Sequence, residues 1–444
     1  GTFFPVESLV AGGFQPRIGD GGRAIDGRLN RNVGAYADSI RFAWRTTGDR
    51  RMAWLLKNVV KRTTESDAQW AAIGQVAAGG RDPLLAARSR NLEGFGLAIL
   101  ESGSEQDDFS KKRALTFRHG VGKGHAHADA LGLEYYAHGV RAVPDAGSRG
   151  GAPHPGDMRA HLGVTVDEAG MRNSGEINVS GTAWTTAFAP APGAQVVSGA
   201  ARFAAAPQVA RYERQAALID VAGRDASYVF DVLRVAGGKA HTWSTHGPAR
   251  DTNAAPVFSF AARPASSDLA RRVLSKHHSP VEGVAGAAVS AAWTLDRAAE
   301  SRMMAEDFSR ERSPVVTRCT LFGHAGEPVF AGDSDPDAKG LESSQWMCAV
   351  GFMHVRKDGA EGLQTVWPQL IESCRGASLI KAAAELAVTP KDETASAPVG
   401  LAVETTTGQR DLLVADGAGG RDVTAGTALL NGRFGYVSRD AQGL

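Results

Sequence analysis

The hydrophobic pattern of this chain changes character near Gly94, and that change limits the available folds more than any other feature. Before it, apolar residues recur at helical spacing. Val33, Tyr36, Ala37, Ile40, Phe42 and Ala43 fall along one broad face, and Met52, Leu55, Leu56 and Val59 repeat the pattern after Asp49, a natural N-cap. Two helices are therefore expected within 34–61, a weaker one over 68–79, and a fourth over 82–90 with Asp82 as cap and Pro83 in its first turn. After Gly94 the segments become short, aromatic or β-branched, and broken by Gly (GFGLAILES, LTFRHGV, LGLEYYAHG). Longer runs follow, such as YERQAALIDVAG, ASYVFDVLRVAGG and HTWSTHG, which read as antiparallel strands joined by turns at 222–225 and 236–239. Strands and helices do not alternate, so a doubly wound or barrel α/β fold is disfavoured.

The expected architecture is α+β: a helical segment over 1–93, a large antiparallel β domain over 94–335, and a smaller β domain over 336–444. The second boundary rests on the polar, turn-rich stretch 326–344. A length of 444 residues, against ~150 for a typical domain, agrees with more than one unit. A net charge of +1 argues against a protein that wraps nucleic acid by bulk charge. Cys319, Cys348 and Cys374 form no CxxC pair and cannot build a disulfide framework. No apolar run reaches the ~18 residues of a membrane span. The chain starts at Gly1 without Met and reads as a fragment of something longer, with little activity expected of it alone.

Six of the 12 His fall between positions 119 and 161. In GHAHAD, a strand would point His125, His127 and Asp129 to one face, giving either a metal site or a catalytic cluster. Asp145 follows a strand in VPDAGSRGG, and His161 opens another in MRAHLGVTVDE. A set of His and Asp without Cys suits zinc or a similar borderline metal. Arg118 and Lys123 could attract an anionic chain, and Trp243 with His246 in HTWSTHGP could form a wall against a sugar. GKGHAHADALG lacks the GxxxxGK[ST] pattern of a phosphate loop, and no GxSxG occurs.

The stretch ALTFRHGVGKGHAHADALGLEYYAHGVRAVPDAG, with MRAHLGVTVDE and YVFDVLRVAGGKAHTWSTHG, resembles the signature of the heparinase II/III-like polysaccharide lyases, whose relatives include oligoalginate lyases. The resemblance implies an incomplete α/α toroid followed by antiparallel sheets, with residues 1–93 as the toroid's last part. It implies β-elimination on a uronic-acid polysaccharide, with His125 as catalytic acid/base. It also implies a mainly structural zinc on His127, Asp145 and His161, and a periplasmic or extracellular setting. The chain departs from the family at Leu162, where Asn is usual, and offers no upstream Asn-His pair. The residues alone leave two other classes open: a zinc-dependent glycan hydrolase, and a non-catalytic carbohydrate-binding β-sheet protein.

Overall fold

The computed structural model describes residues 7–11, 14, 16, 37–106, 108–121, 127, 129–145, 158–168, 182–204, 206–251, 253–274, 278–296, 313–333 and 350–440. Three helices stand where helical spacing predicts them: Ala37–Thr47, Arg50–Leu55 (extended by a π-turn, Leu56–Val60) and Asp67–Ala77. Asp49 caps the second, its carboxylate accepting from Arg51 N at 2.7 Å. Ser66 and Gln69 form a reciprocal capping box on the third. The helices bury Ile40, Met52, Leu55, Leu56 and Ile73 against one another in their own small core.

The fourth expected helix is a single turn. Asp82 accepts from Leu84 N through its side chain and from Ala86 N through its carbonyl, as a cap should. Further along, the carbonyls of Leu85 and Ala87 are taken by the ammonium of Lys112 at 3.3 and 3.0 Å. Chain extension then wins, and Arg90–Leu92 is already a strand.

Sheet structure dominates from there. A five-stranded sheet runs from Arg90–Leu92 through Leu97–Ser102, Arg113–Arg118 and Leu133–Ala137 to Val140–Val143. A nine-stranded antiparallel sheet has Arg211–Asp220, Ser227–Ala236 and Gln364–Arg375 among its central strands. A six-stranded sheet includes Gly163–Val166, Ala240–Ala249, Pro328–Asp333 and Val350–Asp358. These three sheets share one core, to which Leu115 and Tyr135, Leu218 and Ile371, and Trp243 and Val355 contribute from the respective sheets. The far face of the nine-stranded sheet is covered by a four-stranded sheet made of Ile380–Glu385, Val399–Thr405, Arg410–Ala415 and Phe434–Arg439. Ser227–Ala236 is thus covered on both faces, which is why its sequence runs apolar almost without alternation. Among the described residues the one α-helix beyond the β boundary is short, Asp268–Leu274.

Two sequence expectations change. The boundary at 335/336 does not fall at a break between sheets. Val350–Asp358 pairs between Ala240–Ala249 and Pro328–Asp333, and Gln364–Arg375 pairs between Ser227–Ala236 and Val315–Phe322. Residues 350–375 therefore complete the central sheets, and the separate C-terminal sheets begin near Ile380. The turn at 222–225 closes a hairpin, but the one at 236–239 carries the chain from the nine-stranded to the six-stranded sheet. Gly237, at φ +118°, allows this crossing: a Cβ there would lie 1.8 Å from the carbonyl oxygen of Gln208.

Two further glycines set the spacing between the large sheets. Gly247 and Gly351 sit where a Cβ would meet the indole of Trp293 at 2.6 and 2.0 Å. Trp293, fully buried, reaches across from the nine-stranded sheet into the gap that they leave.

Candidate metal centre and cleft

Three chain turns converge at one end of the five- and six-stranded sheets. His127 lies in the segment before Leu133–Ala137. Asp145 lies two residues beyond Val140–Val143. His161 lies between the 3₁₀ turn Met158–Ala160 and Gly163–Val166. Asp145 Oδ2 is 2.9 Å from His127 Nδ1 and 3.5 Å from His161 Nδ1. The two imidazole rings lie 5.3 Å apart, tilted by 34°. One ligand atom from each residue falls within 4.8 Å of the others, and all three side chains are buried. Two ligands on a tetrahedral zinc, with bonds of ~2.1 Å, would stand ~3.4 Å apart. The two distances from Asp145, 2.9 and 3.5 Å, lie near that edge, and the chemistry of the donor set suits a divalent cation.

The expected strand at 125–129 is not formed by its described members. His127 and Asp129 lie outside any strand. Gly132 N donates to Asp129 O at 2.7 Å, Leu131 adopts φ +58°, and Leu131 N donates to Arg118 O. The segment is a tight loop closed on itself and on the end of Arg113–Arg118. That closure, not strand alternation, sets Asp129 in the cleft and His127 against Asp145.

A small cleft beside the centre, with a volume of about 20 Å³, has Thr116, Arg118, Asp129, Glu134, Asp145, His161 and His246 among its lining residues. Arg118 projects from the end of its strand. Its Nη1 donates to the carbonyls of Phe95 and Gly96, and its Nε stands 3.9 Å from Asp129 Oδ2. Asp129 is buried, and its Oδ1 makes no hydrogen bond among the described residues. His246 approaches from Ala240–Ala249, its Nδ1 donating to Gly247 O at 3.0 Å and its ring set edge-on to Phe352. Burial pushes its pKa down to about 4, against the smaller opposing pull of the Gly247 carbonyl, so the ring is neutral at pH 7.

Trp243 does not belong to this cleft. It is fully buried in the core between the sheets. Residues 243 and 246 are an odd number of positions apart on one strand, so their side chains take opposite faces. The expected sugar wall of Trp243 and His246 therefore reduces to His246. His125 and Lys123 lie outside the described residues. Glu134 and Thr116 line the cleft without having been singled out in the sequence. Their signal was present: each is a polar residue within an apolar strand, and the two are paired directly in register.

No protein-family model and no curated protein sequence matches the chain. Solved structures do. A heparan sulfate lyase from Pedobacter heparinus matches with a TM-score of 0.50 at 12% identity, over 93% of this chain and 51% of its own. A heparinase III gene product matches with a TM-score of 0.53 at 11% identity, over 99% of this chain and 51% of its own. The chain has the fold of these lyases. It spans about half the length of each, and at such identity the likeness is one of fold. No helix among the described residues is long and apolar enough to cross a membrane.

Proposed function

We propose that the protein to which this chain belongs is a polysaccharide lyase acting on an anionic, uronic-acid-containing polysaccharide or oligosaccharide outside the cytoplasm. The observation that carries this reading is the convergence of His127, Asp145 and His161 beside a cleft that Asp145, His161 and Arg118 line, within a heparan sulfate lyase fold.

In this reading a base removes the proton on C5, and the electron pair left behind forms the C4–C5 double bond. The C4–O bond breaks, and an acid protonates the departing oxygen. The sugar carboxylate resists gaining further negative charge at C5, so positioned donors must neutralise it. Arg118 is the guanidinium that the cleft offers for this. His125 is assigned the acid/base role from its place in the GHAHAD motif, since an imidazole titrates close to neutral pH. Lys123, in the same motif, is assigned to attracting the anionic chain. His246, kept neutral by burial, can offer one ring nitrogen to a sugar hydroxyl. His127, Asp145 and His161 would hold a zinc ion, whose double charge ties the three turns together and fixes the segment carrying His125.

The test is ultraviolet absorbance during digestion of heparan sulfate, alginate and hyaluronan by the full-length polypeptide, with reducing ends counted in parallel. A lyase raises both. New reducing ends without absorbance would instead identify a zinc-dependent glycan hydrolase. Binding without either would leave a carbohydrate-binding protein. Zinc uptake near one per chain, lost in His127→Ala and in His161→Ala, is expected. Full retention in both variants would sink the metal assignment.

A further inference from the structure

Arg214 lies on Arg211–Asp220 in the middle of the nine-stranded sheet, and its side chain is only 1% exposed. A guanidinium buried this deeply is costly unless most of its N–H groups are used. Nε and Nη2 donate in parallel to the two oxygens of Asp231, at 2.7 and 2.6 Å. Asp231 is fully buried on the neighbouring strand, and Gln369, its register partner one strand further, donates to Asp231 Oδ2 at 2.6 Å. Three adjacent strands thus fix one end of the guanidinium.

The other end leaves the sheet. Nη1 donates to Leu131 O at 2.9 Å and to Leu162 O at 2.6 Å. Leu131 belongs to the loop that carries His127 and Asp129, and Leu162 directly follows His161. One nitrogen therefore binds the backbones of two of the three turns that form the candidate centre. A buried ion pair is weak evidence for stability, because apolar residues of the same volume often serve as well. An apolar pair could not hold two carbonyls at a fixed separation.

We propose that Arg214, locked by Asp231 and Gln369, is a positioning residue that sets the spacing of the His127 and His161 turns and so the affinity of the centre for its metal. This rests on the metal reading given above. Groups outside the ligand shell that orient ligands typically govern metal affinity by ~10–100-fold. Lysine in this place keeps the charge but loses the fork, so it cannot grip Asp231 in two places and both carbonyls at once.

The experiment compares wild type with Arg214→Lys, and with the double variant Arg214→Met/Asp231→Leu in case the lysine variant does not fold. Zinc affinity is read by competition with a chromophoric chelator. Amide hydrogen exchange is followed in peptides covering 127–132 and 158–163, with 399–405 as a remote control. The expected result is a zinc affinity ~10–100-fold weaker, with faster exchange in both turns and none in the control. Unchanged exchange in the two turns of a folded variant overturns the proposal, and so does zinc affinity within twofold of wild type. If wild type itself takes up no zinc, the metal reading fails. Exchange in the two turns then decides alone whether Arg214 holds them.

Discussion

His324 offers a sharp test of how this interior is held together. Its ring stacks on Trp367 with centroids 3.8 Å apart and planes 5° from parallel. Nε2 donates to Val366 O at 3.0 Å, which leaves Nδ1 as the bare nitrogen, buried and without a hydrogen bond among the described residues. Protonation would place an N–H and a positive charge there. Burial accordingly pushes the pKa from near 6.5 down to about 4, with nearby Lys357 adding to the effect. The unfolded chain therefore takes up this proton first as pH falls. The stability linked to His324 is intact above about pH 6.5 and is lost progressively down to about pH 4. At pH 5 the two pKa values correspond to a loss of about 2 kcal/mol from this one ring.

The perturbation is His324→Phe, which keeps a flat ring against Trp367 and cannot titrate. At pH 7.5 the variant should be less stable by about 1–3 kcal/mol, because Val366 O loses its donor. Urea unfolding followed by tryptophan fluorescence, at pH 7.5 and at pH 5.0, gives both stabilities. Other buried histidines, such as His119 and His246, titrate in both proteins and cancel in the difference. The gap between wild type and variant should close by about 2 kcal/mol on going to pH 5.0. A gap that stays constant would refute the reasoning. It would mean that the attraction of the indole face for a cation offsets the desolvation of the imidazolium.

Two further outcomes follow from packing. Gly351→Ala places a methyl group against Trp293 and should cost about 1–3 kcal/mol, read as a lowered unfolding midpoint, with Gly247→Ala acting in the same direction. Lys112→Met removes a fully buried ammonium, 2.9 Å from Glu101 Oε1, and should destabilise by about 3–5 kcal/mol. The first local sign should be tryptic cleavage at Arg81 and Arg88, since the carbonyls of Leu85 and Ala87 lose their shared donor.

What the sequence disclosed and what it hid divide along the range of the interactions. Helical spacing and Asp49 as a cap are local, and both appear where they were read. The C-terminal run forms separate small sheets only from Ile380, because the pairing of residues 350–375 with distant strands is not local. The fourth helix failed because its fate depends on Lys112, some 25 residues away, competing for its carbonyls. GHAHAD looked like a strand because alternation alone cannot tell a strand from a loop that closes on a neighbouring strand. The parity that separates Trp243 from His246 was available in the sequence, and the shared HTWSTHG motif obscured it. Arg214 sits in a polar run and Asp231 among apolar neighbours, and nothing local announces that they meet each other or that Arg214 reaches two distant turns.

The return of residues 350–375 into the middle of both large sheets also imposes a timetable on the ribosome. Until about residue 375 has emerged, Ser227–Ala236 and Val315–Phe322 each present a bare hydrogen-bonding edge where Gln364–Arg375 belongs, as do Ala240–Ala249 and Pro328–Asp333 where Val350–Asp358 belongs. Bare apolar edges recruit strands from any chain that supplies them. Two of these edges, on Ser227–Ala236 and Ala240–Ala249, therefore wait through about a hundred residues of synthesis or more, and the other two join them before closure, which makes folding of the central sheets a late event that slow translation would expose to self-association.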